Sequence, residues 1–372
     1  MLDFDVLRFD FGMGRPAADM VKVTPETDYS EAAGYGFLPG SVVYARSRPG
    51  EESPAGDFCI PLRAVFRMDV PDGVYRITLL SGDPLAETRT TVRGPGARSL
   101  LDPLAGAAGC PAVESFSIRV DGGSLLLSFT GAAPRINMLE IRPDPEARVL
   151  YLAGDSTVTD QGEAGFPYAG WGQYLPERFK AGIAVENRAL SGRSSKSFMD
   201  EGHWERILAT LRAGDYVMAQ FGHNDAKPDP ARRTEPFTTY KDRLKVYIEG
   251  TRRAEAQPVL VTPVHRRAFD GQGRILNTHG GYIEAMRELA ASEQVPLIDL
   301  ADKSRELFER YGPEGTKDLF MWSYPGEFLA HPAGVSDNTH FQVLGARLLA
   351  GLVADAMDEA GLHGLAIYQR RN

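Results

Sequence analysis

The hydrophobic pattern of this chain changes at residues 142–148, and this change limits the folds that the chain can adopt. Before this segment, short strand-like runs are separated by turns rich in Gly and Pro. After it, nearly continuous apolar runs alternate with segments long enough to form helices. The segment itself contains two prolines and mixed charge, which are typical of a short, stiff linker. We therefore predict two domains, residues 1–146 and residues 148–372.

The first domain is predicted to be all-β. Its short runs, several of which alternate polar with apolar residues, are 4–11, 66–70, 74–80, 116–120, 125–130 and 136–141. Many short strands with Gly and Pro between them are typical of a β-sandwich. The pattern loosely resembles the galactose-binding-like jelly-roll modules that accompany polysaccharide enzymes. That resemblance implies a carbohydrate-binding module.

The second domain is predicted to be α/β. Its apolar runs are 149–153, 183–185, 216–221, 259–262 and 297–300. The helix-length segments between them are 201–211, 239–256, 282–293, 303–311 and 341–360. Apolar strands that alternate with helices predict a mainly parallel sheet of about five strands, covered by helices on both faces in three α/β/α layers.

Charge and cysteine content narrow the class of protein. The net charge of −9 disfavours a nucleic-acid-binding protein, because such a protein usually carries a basic surface. Only 2 Cys are present, Cys59 and Cys110, too few for a disulfide framework; the two could pair, but buried free thiols are favoured. Neither a secretory signal nor a membrane-length apolar run is visible, so we expect a cytoplasmic protein without a membrane partner. A secreted form stays open if a leader was removed.

Polar residues at the ends of the predicted strands indicate a catalytic site. Ser156 comes directly after the run 149–153, and Asp337 and His340 lie far downstream. Because the carboxyl ends of parallel strands meet at one edge of a sheet, we expect these side chains to lie together. Ser156 would then be the nucleophile, His340 the base that activates it, and Asp337 the group that orients the base.

Two further residues complete this set. Gly192 and Asn224 lie between Ser156 and His340 in the chain. The N–H groups of Ser156 and Gly192, with the Asn224 amide, can hold an oxyanion. Each residue alone is also typical of a turn or a helix cap. Their order in the chain favours a serine esterase, and no G-x-S-x-G elbow points to the α/β-hydrolase fold instead.

The spacing of these residues predicts local structure as well. A helix is expected to begin at about Gly170 or earlier, after the nucleophile Ser156. The three-residue spacing between Asp337 and His340 predicts that both side chains come from one loop or one helical turn.

Four motifs resemble those of the SGNH or GDSL-type hydrolases, which are named for their invariant Ser, Gly, Asn and His. They read Gly-Asp-Ser-Thr at 154–157, Ser-Gly-Arg-Ser-Ser-Lys-Ser-Phe at 191–198, Gln-Phe-Gly-His-Asn-Asp at 220–225 and Asp-Asn-Thr-His-Phe at 337–341. The longer motifs point to the rhamnogalacturonan acetylesterase branch. The resemblance implies that the chain removes acetyl groups from pectic rhamnogalacturonan or its oligosaccharides through an acyl-enzyme, without a cofactor or a metal.

Substrate-binding residues are expected in the loops around the active edge. The basic candidates are Arg193, Lys196, His223, Arg266 and Arg267, and the same loops carry Lys227, Arg232 and Arg233. An Arg fork suits the carboxylate of an acidic sugar such as galacturonate, although most such residues are solvated surface charges. Aromatic side chains that would stack on sugars or pack in the core are Tyr168, Trp171, Trp204, Tyr282 and Trp322.

Three alternatives stay open at this point. A metal hydrolase would use His223, Asp225, Asp337 and His340, but neither an H-E-x-x-H motif nor paired Cys supports it. A related esterase could act on another acylated sugar or a small ester. In a third class, a non-catalytic carbohydrate-binding protein, the β-sandwich would bind the sugar and the serine would have no role.

Overall fold

The computed structural model describes residues 5–16, 18–48 and 56–370. Within this part of the chain, residue contacts divide the protein into two units. The first unit runs to Ala147 and also includes Phe179–Ala184 and Arg370. The second unit contains Arg148–Arg178 and Val185–Gln369. The run predicted at 4–11 begins at Phe4, which lies outside the described residues.

The first unit is built from two β-sheets. Its strands are β1 (Leu7–Phe11), β2 (Val21–Val23), β3 (Tyr35–Phe37), β4 (Val42–Ser47), β5 (Asp57–Met68), β6 (Gly73–Ser81), β7 (Thr88–Arg93), β8 (Ser99–Gly106), β9 (Ala112–Val120), β10 (Leu125–Ala133) and β11 (Met138–Pro143). One sheet has the order β2-β1-β11-β6-β9. The other has the order β3-β5-β10-β7-β8, with β4 beside β5.

Side chains from both sheets share one hydrophobic core. Phe9 and Phe11 come from β1, and Phe37 and Phe66 come from β3 and β5. The Phe66 ring centroid lies 5.3 Å from those of Phe9 and Phe11 and 5.2 Å from that of Phe37, each pair edge-to-face. Such pairs stabilise a core beyond the effect of burial alone. The β-sandwich prediction is confirmed.

Several strands of this unit were not predicted from the sequence. They are β2, β3, β4, β7 and β8, and the run predicted at 66–70 is only the end of the long strand β5. The strand β7 reads Thr-Arg-Thr-Thr-Val-Arg, so its β-branched residues are mostly polar and give no apolar signal. Burial of its Thr88 and Thr90 depends on the neighbouring strands, which the local pattern does not report.

The second unit is organised around a parallel sheet of five strands. They are β12 (Arg148–Gly154), β14 (Ile183–Asn187), β15 (Tyr216–Gln220), β16 (Gln257–Val261) and β17 (Leu297–Ile298), in the order β14-β12-β15-β16-β17. Residues 149–153 of β12 are fully buried, as are nearly all residues of β15. Strands buried on both faces explain the continuous apolar runs, and the predicted α/β fold is confirmed.

A small antiparallel sheet adjoins the parallel one. It contains β13 (Tyr168–Ala169), β18 (Phe320–Ser323) and β19 (Val335–Gln342), in the order β13-β19-β18. The predicted helix at 341–360 therefore begins later, because Phe341 and Gln342 still pair with β13.

The helices of the second unit are α1 (Ser195–Asp200), α2 (His203–Leu208), α3 (Lys241–Arg253), α4 (Tyr282–Glu293), α5 (Leu300–Gly315), α6 (Val343–Glu359) and α7 (His363–Ala366), with a π-helical segment at Pro236–Tyr240. The helix predicted at 201–211 is the shorter helix α2, which begins only after Gly202, a residue with φ +76°. The helix expected from about Gly170 is absent: residues Trp171–Gln173 and Leu175–Arg178 form 3-10 turns.

The structure also bears on the two cysteines and on membrane-spanning helices. Cys59 and Cys110 are free thiols; Cys59 is buried, whereas Cys110 is exposed in the turn after β8, so the expectation of two buried thiols is wrong for Cys110. None of the helices in the described ranges has the length and apolar content that a membrane span requires.

Helix α6 approaches the small sheet closely at Gly345. A Cβ atom at this position would lie 2.1 Å from the backbone oxygen of Leu319, the residue before β18. Because β18 pairs with β19, this contact helps to set the position of the strand that carries Asp337 and His340. Glycine is therefore required here by space, within an otherwise regular helix.

Gly345→Ala is expected to lower the free energy of unfolding by roughly 2 kcal/mol or more, because overpacking against backbone outweighs the better helix propensity of Ala. Gly351→Ala, in the same helix, is the matched control. Its Cβ would meet only the mobile end of the Arg178 side chain, at 3.0 Å, so stability should change little or rise. Urea unfolding of both variants checks this, and equal destabilisation of the two would contradict it.

Candidate active site

Ser156, His340 and Asp337 form a hydrogen-bonded line at the carboxyl edge of the parallel sheet. Ser156 follows the end of β12, and its Oγ lies 2.8 Å from His340 Nε2. His340 Nδ1 lies 2.7 Å from Asp337 Oδ2. The carboxylate can only accept, so Nδ1 carries the proton and Nε2 is left to accept from the serine hydroxyl.

The strand β19 presents Asp337 and His340 from an irregular stretch. Its ladder to β18 pairs Phe341 with Phe320 and Ser336 with Trp322, and the register shifts between these pairs. Across the shift, Asp337 Oδ1 accepts from the backbone N–H groups of Thr339 at 2.7 Å and His340 at 3.1 Å. The expectation of a loop or a helical turn is therefore corrected to a bulged strand, in which the carboxylate replaces ladder partners.

The ionisation of Asp337 suits a group that orients an imidazole. Although burial opposes it, the hydrogen bond from His340 and the backbone N–H of Thr339 lower the pKa of Asp337 to about 2. Asp337 is therefore an anion throughout the neutral range.

Gly192 and Asn224 lie on the wall of the same cavity as Ser156 and His340. The cavity has a volume of about 470 Å³. Gly192 has φ +82°, a left-handed conformation that favours glycine. In the part of the chain that the structure describes, the backbone N–H groups of Ser156 and Gly192 have no acceptor. Asn224 Nδ2 donates to the Arg193 carbonyl at 3.0 Å, which fixes the amide with one N–H still available.

A buried hydrogen-bond network supports the turn that carries Ser156. Trp171 Nε1 donates to Gln220 Oε1 at 2.9 Å, and Gln220 Nε2 donates to Thr157 Oγ1 at 2.7 Å. Thr157 Oγ1 donates to Asp155 Oδ1 at 2.7 Å. His223 Nδ1 lies 3.1 Å from Asp155 Oδ2. Since an indole N–H can only donate, the direction of every bond up to Asp155 follows from Trp171.

The comparisons with known proteins identify the second unit. The sequence pattern of the GDSL-like Lipase/Acylhydrolase family matches residues 152–348, which is more than half of the chain. The chain belongs to this family. The pattern of the Beta-agarase/YXIM esterase-like, galactose-binding domain-like family matches residues 7–138. Both resemblances inferred from the sequence are confirmed, and the GDSL-type unit is that of an ester hydrolase.

Individual relatives are also similar over most of their length. Rhamnogalacturonan acetylesterase RhgT of Bacillus subtilis (strain 168) is 46% identical over 213 residues, 57% of this chain and 90% of the relative. Probable rhamnogalacturonan acetylesterase YesY of the same strain is 44% identical over 217 residues, 58% of this chain and 95% of the relative. The crystal structure of protein YxiM from Bacillus subtilis, 27% identical, covers 96% of this chain and 99% of that chain with a TM-score of 0.54.

The predicted substrate-binding residues of this GDSL-type hydrolase fall into two groups. His223 and Arg266 line the cavity. Arg193, Lys196 and Arg267 are not part of its wall: Arg193 pairs with Glu201, Lys196 Nζ donates to the Pro230 carbonyl at 2.6 Å, and Arg267 lies over the Trp322 ring.

Two residues of the cavity wall are only weakly indicated by the sequence. Lys227 lines the cavity, and only its place in a loop after a strand pointed to it. Tyr168 lines the cavity and its OH donates to Asp337 Oδ2, a contact for which the sequence carries no signal.

Most of the other candidate aromatic residues have structural positions. Trp171 and Trp204 are at most 1% exposed, so neither can stack on a sugar. Tyr282 is buried and donates to the Asp225 carbonyl at 2.9 Å. The Trp322 ring is covered by Arg267 and Lys317.

The residues considered for a metal site have separate partners. Asp225 accepts from Ser195 Oγ at 2.5 Å and from Thr234 Oγ1 at 3.1 Å, and burial raises its pKa to about 6. His223 pairs with Asp155. Among the described residues, no group of three or more His, Cys, Asp or Glu side chains is arranged to hold a metal ion.

Three buried histidines lie together, and one of them, His223, is part of the cavity wall. The ring of His279 lies 4.6 Å from that of His223 and 6.0 Å from that of His265, centroid to centroid. His265 Nδ1 and His279 Nδ1 have no hydrogen-bond partner among the described residues. Burial lowers the pKa of His265 to about 4 and that of His279 well below its usual value, so both are neutral at pH 7.

The contribution of His265 to the free energy of unfolding is expected to fall as the pH falls from about 6.5 to about 4, because the unfolded His265 then takes up a proton that the folded one rejects. The full effect of this residue is about 3 kcal/mol, present above the unfolded pKa and lost through this window. Asp225 acts in the opposite direction between about 4 and 6, since its folded pKa is raised.

Urea unfolding of wild type and His265→Gln between pH 7 and pH 4.5 isolates the histidine, because Asp225 is common to both. The slope of the free energy of unfolding against pH should become less positive in the variant, because the contribution of His265 is lost. His363→Gln, at a side chain 73% exposed, is the control and should keep the wild-type slope. An unchanged slope in His265→Gln would refute the assignment.

Proposed function

We propose that this chain is a carbohydrate O-acetylesterase that acts through an acyl-enzyme on Ser156. The observation that carries the proposal is the hydrogen bond from Ser156 Oγ to His340 Nε2, on the wall of a cavity that also contains Gly192 and Asn224. The names of two relatives, both rhamnogalacturonan acetylesterases, support an acetylated carbohydrate as substrate.

Ser156 would attack the acetyl carbonyl carbon while His340 Nε2 takes the hydroxyl proton. The new bond joins Oγ to the carbonyl carbon, and the carbonyl oxygen becomes an oxyanion. Asp337, ionised at neutral pH, stabilises the imidazolium that forms and holds its orientation.

The oxyanion would be held by three donors: the backbone N–H groups of Ser156 and Gly192 and the free N–H of the Asn224 amide. No hydrogen bond has to break before these donors bind the oxyanion. The two backbone N–H groups have no acceptor in the described structure, and Asn224 uses only one of its two amide N–H groups. Such preorganised donors stabilise the transition state more than the ground state.

The second half of the reaction would use the same base. His340 returns its proton to the sugar oxygen as the C–O bond breaks, and the sugar leaves with a free hydroxyl. Water then attacks the acetyl-enzyme, His340 takes a proton from it, and acetate leaves as Ser156 regains its hydroxyl proton.

Two cationic side chains on the cavity wall support an acidic sugar next to the acetyl group. Arg266 donates to the His223 carbonyl at 3.2 Å and to Thr278, and it forms no ion pair among the described residues. Lys227 likewise has no carboxylate partner within the described ranges. Cations that form no ion pair with a carboxylate in the described ranges, in a protein of net charge −9, favour a substrate carboxylate such as that of galacturonate.

The first unit would then serve as a carbohydrate-binding module, which its galactose-binding-like pattern favours. A second candidate function is hydrolysis of another acylated sugar by the same residues, Ser156, His340 and Asp337. The non-catalytic alternative loses support, because Ser156, His340 and Asp337 are hydrogen-bonded in line.

Ser156→Ala should abolish release of acetate from acetylated rhamnogalacturonan and from an aryl acetate, while the protein stays folded. Only the Oγ nucleophile is removed, and the network through Thr157 and Asp155 remains. A serine-directed phosphonate should label Ser156, as peptide mass spectrometry can show. Ser292→Ala, on the exposed face of α4, is the control and should keep full activity and labelling. Undiminished hydrolysis by Ser156→Ala would exclude the proposed function.

Lys227→Gln should lower kcat/KM by about 10-fold on an acetylated acidic oligosaccharide and change it little on a neutral acetylated sugar, because only the acidic substrate has a carboxylate to bind. Arg266→Gln should act in the same direction. Lys245→Gln, whose ammonium pairs with Glu293 on the surface, is the matched control. Equal losses of kcat/KM on acidic and neutral substrates would show that these two side chains do not recognise the substrate carboxylate.

A further inference from the structure

We propose that Tyr168 is a positioning residue for His340 and Asp337, which it contacts with its ring and its hydroxyl group respectively. This inference rests on the proposed roles of these two residues in ester hydrolysis. Tyr168 need not touch the reacting acetyl group in order to act in this way.

The geometry brings Tyr168 to both residues at once. Its OH lies 3.2 Å from Asp337 Oδ2, the oxygen that also accepts from His340 Nδ1. Its ring centroid lies 5.6 Å from that of His340, with an interplanar angle of 70°. An edge-to-face contact of this kind restricts the rotation of the imidazole about its side-chain bonds.

Backbone pairing keeps Tyr168 in this place. Tyr168 and Ala169 form the short strand β13, which pairs with Gln342 and Phe341 at the end of β19. The same strand β19 carries Asp337 and His340, so the tyrosine and the two residues that it contacts move together. A side chain on a separate surface loop would lack this coupling.

The hydroxyl completes the coordination of the carboxylate. Asp337 Oδ1 accepts two backbone N–H groups, and Oδ2 accepts from His340 and from Tyr168. A carboxylate has about four lone-pair sites, so the tyrosine occupies the last of them. Without this donor, His340 Nδ1 would be the one remaining partner of Oδ2 among the described residues, and the carboxylate would be held less firmly in the plane of the imidazole.

Tyr168 is a reliable donor across the working pH range. Burial and the neighbouring Asp337 charge raise the pKa of Tyr168 to about 12, so its proton stays in place. On its other side, the Tyr168 ring lies 5.3 Å from that of His331, whose Nε2 lies 3.3 Å from the Gly165 carbonyl.

Because Tyr168 and His340 both donate to Asp337 Oδ2, the direction in which the pH profile should move can be predicted. A hydroxyl that donates to Oδ2 draws charge from the carboxylate and weakens its attraction for the imidazolium form of His340. When the hydroxyl is removed, the carboxylate attracts the protonated ring more strongly. The acid limb of the pH profile of kcat/KM should then move to higher pH, which loss of packing alone would not cause.

The test compares wild type and Tyr168→Phe, which keeps the ring and loses only the hydroxyl. Acetate release is measured from pH 4.5 to pH 9, so that no titrating chromophore enters the readout. We expect kcat to fall by about 10-fold with KM little changed, and the acid limb to move up by about half a pH unit or more. An unmoved acid limb, whatever the loss in kcat, would overturn the proposal.

Other titratable groups near His340 are controlled by design. Lys227, Arg266 and His223 on the cavity wall are common to both proteins. His331 contacts Tyr168, so the comparison is repeated in a His331→Gln background, where the same shift is expected; its disappearance there would assign the shift to His331 and overturn the proposal. Tyr216→Phe, at the opposite end of the sheet, removes a hydroxyl bonded to Arg148 and should leave the profile unchanged.

The failure of this inference is distinguishable from the failure of the proposed function. Activity that survives in Ser156→Ala or His340→Ala removes the proposed reaction and this inference with it. Loss of activity in both of those variants, together with a wild-type pH profile in Tyr168→Phe, removes only the role of the tyrosine.

Discussion

The parallel sheet of the second unit is buried on both faces, and the positions of Ser156 and Asn224 follow from this constraint. Residues 149–153 of β12 are fully buried, so charged side chains are excluded from this stretch. Polar side chains occur at once after the end of the strand, as Asp155 and Ser156, and after β15 as His223 and Asn224. Because parallel strands end at one edge, Asp155 meets His223 across 68 positions of the chain.

Two buried carboxylates at this edge show how partners decide ionisation. Asp155 is fully buried, yet the nearby His223 imidazole and the N–H and OH of Thr157 hold its pKa below the usual value. Asp225 is equally buried, but it faces only neutral donors and the negative Asp155, and its pKa rises to about 6. A buried charge is costly unless it is compensated, so the first is an anion that stiffens the serine turn and the second can take up a proton.

Much of the site could be predicted from the sequence, because the residues concerned lie in short, recognisable motifs. Ser156, Gly192, Asn224 and His340 were named from such motifs, and the structure brings all four to one cavity. The β19 bulge was not accessible, since the run Val335–Gln342 has no alternating apolar pattern and its pairing partner β18 is defined by tertiary contacts. The sequence did not distinguish the basic residues that line the cavity from those that do not. Arg266 and Arg267 are neighbours in the chain, but of these two only Arg266 lines the cavity.

The sequence by itself determined the two-part organisation, the sheet type and the residues proposed as nucleophile, base and orienting acid, because hydrophobic period and short motifs are local properties. The tertiary structure decided which donors complete the site. Tyr168 reaches Asp337 over 169 residues, and the Trp171 indole is connected to Thr157 Oγ1 through Gln220 of a different strand. Hydrogen-bond partners of this kind depend on strand order and register, and these are settled only when distant segments pack against one another.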